Sequence, residues 1–351
     1  MNTWQIAAGE PGRDYSGLCI KHDLVMIGPG DPGEYSTERY AKERMAPQIR
    51  QFCEDPTPGD LVLLRLGHRV VAVGAIPAGE DAKVLWLSGF EAVLGWDLQH
   101  VRRVMWGDEK VLHFLQDMQP VFSNYKQQRT IHKVKEDRIL SRVDQMKAAI
   151  RSRPLRPLPQ IGDRLDDASL GIALFRAGLA NETVEGVIKA IRKIRRLATW
   201  YEEAHCPDRP NEHEIVTHAV APLLLGLGWS EQLLGIEWRK IDVAIFDRLP
   251  ATPQHCIAVC EAKKLGVSLS AAYQQAQSYI QRQQLLSCRL IITTDGKSLY
   301  TYRRSEREWP GEPTGYINLC KIRASYAMPE RTSSVDTLVG LLPARIHQES
   351  S

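Results

Sequence analysis

No stretch of this chain approaches the roughly 20 consecutive apolar residues that a membrane-spanning helix needs, so a membrane protein is not expected. Its first residues lack the basic and apolar regions of a secretory leader; the expected location is cytoplasmic. Cysteines number seven, an odd and scattered set, which argues against a disulfide framework and for reduced thiols. Cys256 and Cys260 fall inside a strand pattern and read as packing; a zinc site is not expected. The net charge is only +3, so overall charge announces no nucleic-acid partner. Internal repeats and low-complexity segments are lacking too.

Three nucleotide or metal motifs are absent despite a superficial likeness. Gly28-Pro29-Gly30-Asp31-Pro32-Gly33 spells a dinucleotide fingerprint. Its prolines remove N–H donors that a pyrophosphate needs, and Pro32 breaks the helix that must follow. Gly296-Lys297-Ser298 ends like a P-loop, but Ile291 stands where the first glycine belongs, so no ATP is expected. His213 and His218 are five apart and diverge around a helix instead of stacking as zinc-protease ligands do.

What the chain does contain is a charged group at the end of a buried strand. Glu261-Ala262-Lys263 closes the apolar run Cys256 to Cys260, and Asp242 lies in the run Ile241 to Phe246. Charges there are costly unless something binds them. Strand side chains alternate, so Glu261 and Lys263 point the same way. With an acid from a neighbouring strand they form a kit for Mg²⁺-dependent phosphodiester hydrolysis: two carboxylates for a hard cation, and a lysine for water or phosphate charge. Alone the pattern is weak. It gains weight from its neighbours: the helical pattern from Asn211 through Pro222 to Trp229, the helix-forming Ala271 to Tyr279, and the β-rich run Cys288 to Gly296 followed by Leu299 to Tyr302.

These ordered pieces resemble the PD-(D/E)XK nuclease domain of type I restriction enzyme motor subunits and Mrr-like relatives, over about residues 211–302. The resemblance implies that Asp242 and Glu261 are Mg²⁺ ligands (Mn²⁺ substituting) and that Lys263 is the catalytic lysine. Gln275 and Tyr279 match the family's Gln-x-x-x-Tyr element, which supports the site and touches the DNA backbone. Glu212 or Glu214 is the helix acid, with Glu212 favoured by its distance from Pro222. The proline that usually precedes the first acid is Ile241 here.

Residues 1–119 carry short β-branched runs separated by Gly, Pro and Asp, the pattern of a small barrel. Trp4-Gln5-Ile6-Ala7-Ala8-Gly9, Ile27-Gly28-Pro29-Gly30, Gly59-Asp60-Leu61-Val62-Leu63-Leu64 and the closing His100 to Trp106 resemble the PUA-like superfamily, especially EVE-type domains. That resemblance implies a pocket for a flipped or modified base, where aromatic walls stack and polar groups read the edge. Trp4, Tyr15, Trp96 and Trp106 are the candidates for modified-base binding, each weighed against a place in the core.

The expected fold is therefore α/β: a PUA-like β-barrel (1–119), a basic helical linker region (120–205), a PD-(D/E)XK restriction-endonuclease-like core (206–330) and a C-terminal tail (331–351). Basic residues cluster between Lys126 and Arg164 and again at Lys189, Arg192, Lys193, Arg195 and Arg196, suited to phosphate attraction or simply to a solvated helix face. Joined, the resemblances imply a modification-dependent restriction endonuclease of anti-phage defence. It would act on double-stranded DNA carrying modified cytosine, as a homodimer because one centre cuts one strand. The alternatives are a non-catalytic or partner-activated nucleic-acid-binding defence subunit, and a nuclease directed at RNA.

Overall fold

The structure is a computed structural model, and it describes all residues except 11, 109–128, 148–149, 151–152, 204–209, 306–307, 331 and 347–351. The fold is mixed α/β. It divides into two compact units, Met1–Gln160 and Ile161–Ser351. No described helix is long and apolar enough to cross a membrane.

The first unit is built on a five-stranded and a three-stranded sheet, besides the short pair Gly9–Glu10 and Arg13–Asp14. Strands β1 (Thr3–Ala7), β3 (Leu61–Leu66), β4 (Arg69–Ala75), β7 (Met105–Trp106) and β8 (Ile131–Lys133) form one, in the order β8-β1-β3-β4-β7. Strands β2 (Leu24–Ile27), β5 (Leu85–Trp86) and β6 (His100–Arg103) form the other, with β6 central. The apolar runs Leu61 to Leu64 and Val70 to Val73 supply the core, and helix Asp137–Lys147 lays Ile139, Val143 and Met146 against it.

This arrangement corrects the expected boundaries. Ile131–Lys133, expected within a helical linker, is a strand that pairs with β1 and satisfies its outer edge. The stretch 120–205 is not one region but is shared between the two units. The join at 119/120 and the basic residues Lys126 and Arg151 lie outside the described residues. The proline-rich segment that ends the first unit is extended and docked: Arg153 and Arg156 both donate to the fully buried carboxylate of Asp23 at 2.6–3.2 Å. These charge-assisted bonds hold Asp23 at a pKa of about 2, against a burial that pushes the other way.

The second unit has one six-stranded sheet, β9 (Leu234–Trp238), β10 (Ile241–Phe246), β11 (Cys256–Ala262), β12 (Leu290–Thr294), β13 (Ser298–Arg303) and β14 (Gly315–Asn318), paired in that order. Only β11 and β12 run parallel; the connection between them carries helix Ser270–Arg282. Helix Asp167–Arg176 and the long helix Asn181–Glu203 present Leu170, Leu174, Val187, Ile191 and Ile194 to the core. The same core takes Val243, Ile245, Ala258, Cys260, Ala262 and Ile292 from one face of the sheet.

The apolar stripe of the long helix serves as scaffold. Gly186 meets Gly226 of helix Ala221–Gly226 so closely that a Cβ on Gly226 would sit 2.7 Å from the Gly186 carbonyl oxygen. In the second basic cluster, Arg192 and Arg195 are held by Asp167 at 2.6 and 2.5 Å. The expected tail is also part of this unit: helix Ser334–Val339 buries Leu338, and Leu341 and Ile346 join the core.

Candidate active site

Because Ala258, Cys260 and Ala262 face the helical core, Val259 and Glu261 face the opposite side of the sheet. There helix Ser270–Arg282 covers them with Ala272, Ala276 and Ile280. The Glu261 carboxylate is fully buried; neither oxygen makes a hydrogen bond of good geometry, and the Asp242 main-chain N–H favours its charge. Thr293, in register with Glu261 on β12, is fully buried as well, its side chain beside the Tyr302 phenol. Asp242, at the start of the antiparallel neighbour β10, is half-buried; its Oδ2 accepts the Ala262 N–H at 2.7 Å.

Lys263 follows directly on the strand, its main-chain N–H bonded to the Thr294 carbonyl at 2.8 Å. Its Nζ donates to Glu212 Oε1 at 3.2 Å. Helix capping gives Glu212 and Glu214 different partners. Asn211 caps the helix Glu212–Ile215 by accepting the Glu214 N–H at 2.9 Å, while Glu214 accepts the Asn211 N–H at 3.0 Å. Glu214 is thus spent on a reciprocal capping box, and Glu212 faces the lysine. The Asn-x-x-Glu spacing was a sequence signal for this. A π turn, Val216–Val220, follows; such insertions frequently mark functional sites.

Burial, and secondly the charge of Asp242, push Glu261 from 4.5 up to about 8, with Lys263 pulling the other way. Burial raises Asp242 too, against the Ala262 N–H and Lys263. Two carboxylates in a dry place with one cation beside them are short of positive charge.

Gln275 Nε2 donates to Tyr279 Oη at 3.1 Å, so this pair forms a unit on the covering helix. That helix spans the sheet from β13 to the opposite edge. Near its start Tyr273 stacks on Tyr302 at 3.7 Å, and just past its end Gln283 donates to the Arg239 carbonyl at 2.8 Å. Thr293-Thr294-Asp295-Gly296 braces the site: Asp295 accepts N–H groups from Gly266, Lys297 and Ser298 at 2.7–3.0 Å.

Among the described residues no group of three or more His, Cys, Asp and Glu side chains forms a metal cage. A Mg²⁺ ion is commonly held by one or two carboxylates, keeping waters and taking phosphate oxygens for the rest. Asp242 and the buried carboxylate of Glu261 fit that donor set.

The aromatic residues of the first unit separate into core and surface. Trp4 is 2% exposed and donates to Asp60 at 2.9 Å. Trp106 is 3% exposed and donates to the Cys19 carbonyl at 2.9 Å. Both fill the core with their indole N–H satisfied, which corrects their assignment to a base pocket. Tyr15 is equally buried, bonded to the Ala7 carbonyl, and meets Trp96 edge-on at 6.1 Å. Trp96 alone of the four is partly open, with the Arg13 guanidinium 5.1 Å from its ring centroid.

Residues outside the candidate set also stand out here. The side chains of Gln5, Gln99 and His100 are buried, and each carries an atom without a partner. Gln99 packs against Gly30, whose carbonyl accepts the half-open Trp86 indole N–H at 3.2 Å. Polar residues inside the apolar runs Trp4-Gln5-Ile6 and Leu98-Gln99-His100-Val101 were the available signal.

No family model matches the chain, and no curated protein matches it. Among solved structures it is similar to the crystal structure of protein Atu2648 from Agrobacterium tumefaciens, at 16% identity and a TM-score of 0.23, over 45% of this chain and 99% of that one. A likeness of that degree carries no argument about fold or activity.

Proposed function

We propose that the second unit is a PD-(D/E)XK-type endonuclease acting on double-stranded DNA. The observation that carries this reading is the fully buried Glu261 carboxylate, without a well-formed hydrogen bond at either oxygen, set beside Asp242 and Lys263 at the ends of adjacent strands. Leaving a carboxylate poorly satisfied in a dry site costs several kcal/mol, which ligand binding offsets. Asp242 and Glu261 would hold Mg²⁺, which when bound offsets charge on the phosphate and makes water more acidic. Lys263, oriented by Glu212, donates a hydrogen bond to the attacking water or to a non-bridging phosphate oxygen. Water adds to phosphorus, the P–O3′ bond breaks, and O3′ takes a proton, leaving a 5′-phosphate and a 3′-hydroxyl. Gln275 and Tyr279 hold each other for contact with the backbone.

The first unit is proposed as a PUA-like reader of modified cytosine, directing cleavage in a modification-dependent restriction system of anti-phage defence. Trp96, with Arg13 over its ring, is the aromatic left available for stacking. Two protomers, each cutting one strand, complete a double-strand break.

The test is Mg²⁺-dependent cleavage of matched plasmids, unmodified and cytosine-modified, by wild type and Lys263→Ala. Cutting of modified DNA alone, lost in the variant, is the expected result. Equal cutting of both plasmids removes the reader and keeps the nuclease. Cutting of RNA in preference to DNA moves the substrate, and no cutting of any substrate leaves a binding or partner-activated subunit.

A further inference from the structure

The edge of the six-stranded sheet nearest Asp242 ends in a two-residue hairpin between Trp238 and Ile241. Both turn residues, Arg239 and Lys240, have positive φ (50° and 71°), as does Glu237 (52°). That is a type I′ turn, which Asn and Gly fill at little cost, whereas an arginine and a lysine are strained there. The turn itself buries none of its charged residues: Glu237, Arg239 and Lys240 are exposed and Ile236 is 49% exposed, while Trp238 packs edge-on against Phe246 at 5.1 Å.

The hairpin is nevertheless fixed from both sides of the site. Glu237 pairs with His213 at 2.9 Å, next to Glu212 on the first helix. The Arg239 carbonyl accepts Gln283 from the covering helix at 2.8 Å, and the Arg239 guanidinium lies 4.7 Å from the Trp238 ring centroid. Lys240 precedes Asp242 by two residues, so the tip stands beside the reacting position.

We infer that the Arg239–Lys240 tip is a binding element for the DNA backbone, which seats the duplex over Asp242 and Glu261. The inference rests on the nuclease reading. It explains why cationic residues occupy a turn that uncharged ones would fill more stably: rigid bracing preorganises two positive charges for phosphates flanking the cut.

Arg239→Asn with Lys240→Gly removes both charges while giving the turn its preferred residues, so folding is preserved. Binding of a fluorescent duplex is measured in the Lys263→Ala background across a salt series, and cleavage in the otherwise wild-type chain. The expected result is about a tenfold weaker Kd and a salt slope shallower by about 2, one unit for each phosphate that the tip no longer neutralises. KM for cleavage rises, kcat stays, and Tm is equal or higher. Unchanged affinity and slope in a chain that still cuts DNA overturn the hairpin's role and leave the nuclease standing. Loss of affinity for RNA with none for duplex DNA overturns the duplex assignment. A wild type that neither binds nor cuts any nucleic acid overturns both readings.

Discussion

Replacing Glu261 by Gln removes a charge from the driest place in the site and keeps the side chain's shape. Burial and Asp242 raise Glu261 from 4.5 to about 8 in the folded protein. Between those two values the folded state binds more protons than the unfolded chain, so wild-type stability falls as pH rises through that window. From pH 5 to pH 8.5 this single group removes about 4 kcal/mol, an upper figure because water entry relieves part of the desolvation. The Gln variant carries no such proton. Its stability should match wild type near pH 5 and exceed it increasingly above pH 6. At pH 8.5 the thermal transition of the second unit should be higher by roughly 10 °C. Calorimetry of the full chain at several pH values, in chelator, reads the difference directly, because every other titrating group is common to both proteins. Millimolar Mg²⁺ should recover part of the wild-type loss at pH 8.5 and none in the variant. Parallel pH curves, or a variant less stable at pH 8.5, would refute the claim that burial makes ionisation of Glu261 costly. The same variant should not cut DNA, so stability and activity move in opposite directions.

Other perturbations separate the site from its scaffold. Lys263→Ala should lower cleavage by at least about 100-fold with duplex affinity changed less than about twofold, measured by single-turnover cutting and anisotropy. Asp23→Asn keeps a residue that tolerates the φ of 52° at this position but removes the charge that Arg153 and Arg156 clasp. It should cost about 3 kcal/mol, and limited proteolysis should open the segment 153–160. Gly226→Ala pushes a methyl group to 2.7 Å from the Gly186 carbonyl; the second unit should lose about 2 kcal/mol in denaturant titration. Trp96→Ala should reduce discrimination between modified and unmodified DNA, whereas Trp4→Phe should leave discrimination intact, as plasmid competition would reveal.

Much of this molecule was readable along the chain because the signals are local. Alternation placed Asp242 and Glu261 on strands, and part of the expected helical region is the helix Asn181–Glu203. The two prolines at 29 and 32 excluded a phosphate cradle, and no helix begins there. The residues of the candidate site could therefore be nominated from spacing and resemblance.

What local pattern could not carry was the pairing of distant segments. Whether Trp4 and Trp106 wall a pocket or fill a core depends on Asp60 and the Cys19 carbonyl meeting their N–H groups. Periodicity in the linker gave no sign that Ile131–Lys133 would close the edge of β1, since three residues are too few for a pattern. Glu212 and Glu214 are equivalent acids until a cap occupies one and Lys263 the other. The cost of the buried Glu261, and the bracing of Arg239 and Lys240 beside it, arise only when strands, helices and hairpin converge. Burial and charge proximity are properties of the packed chain, whereas strand and helix periods are written in its order.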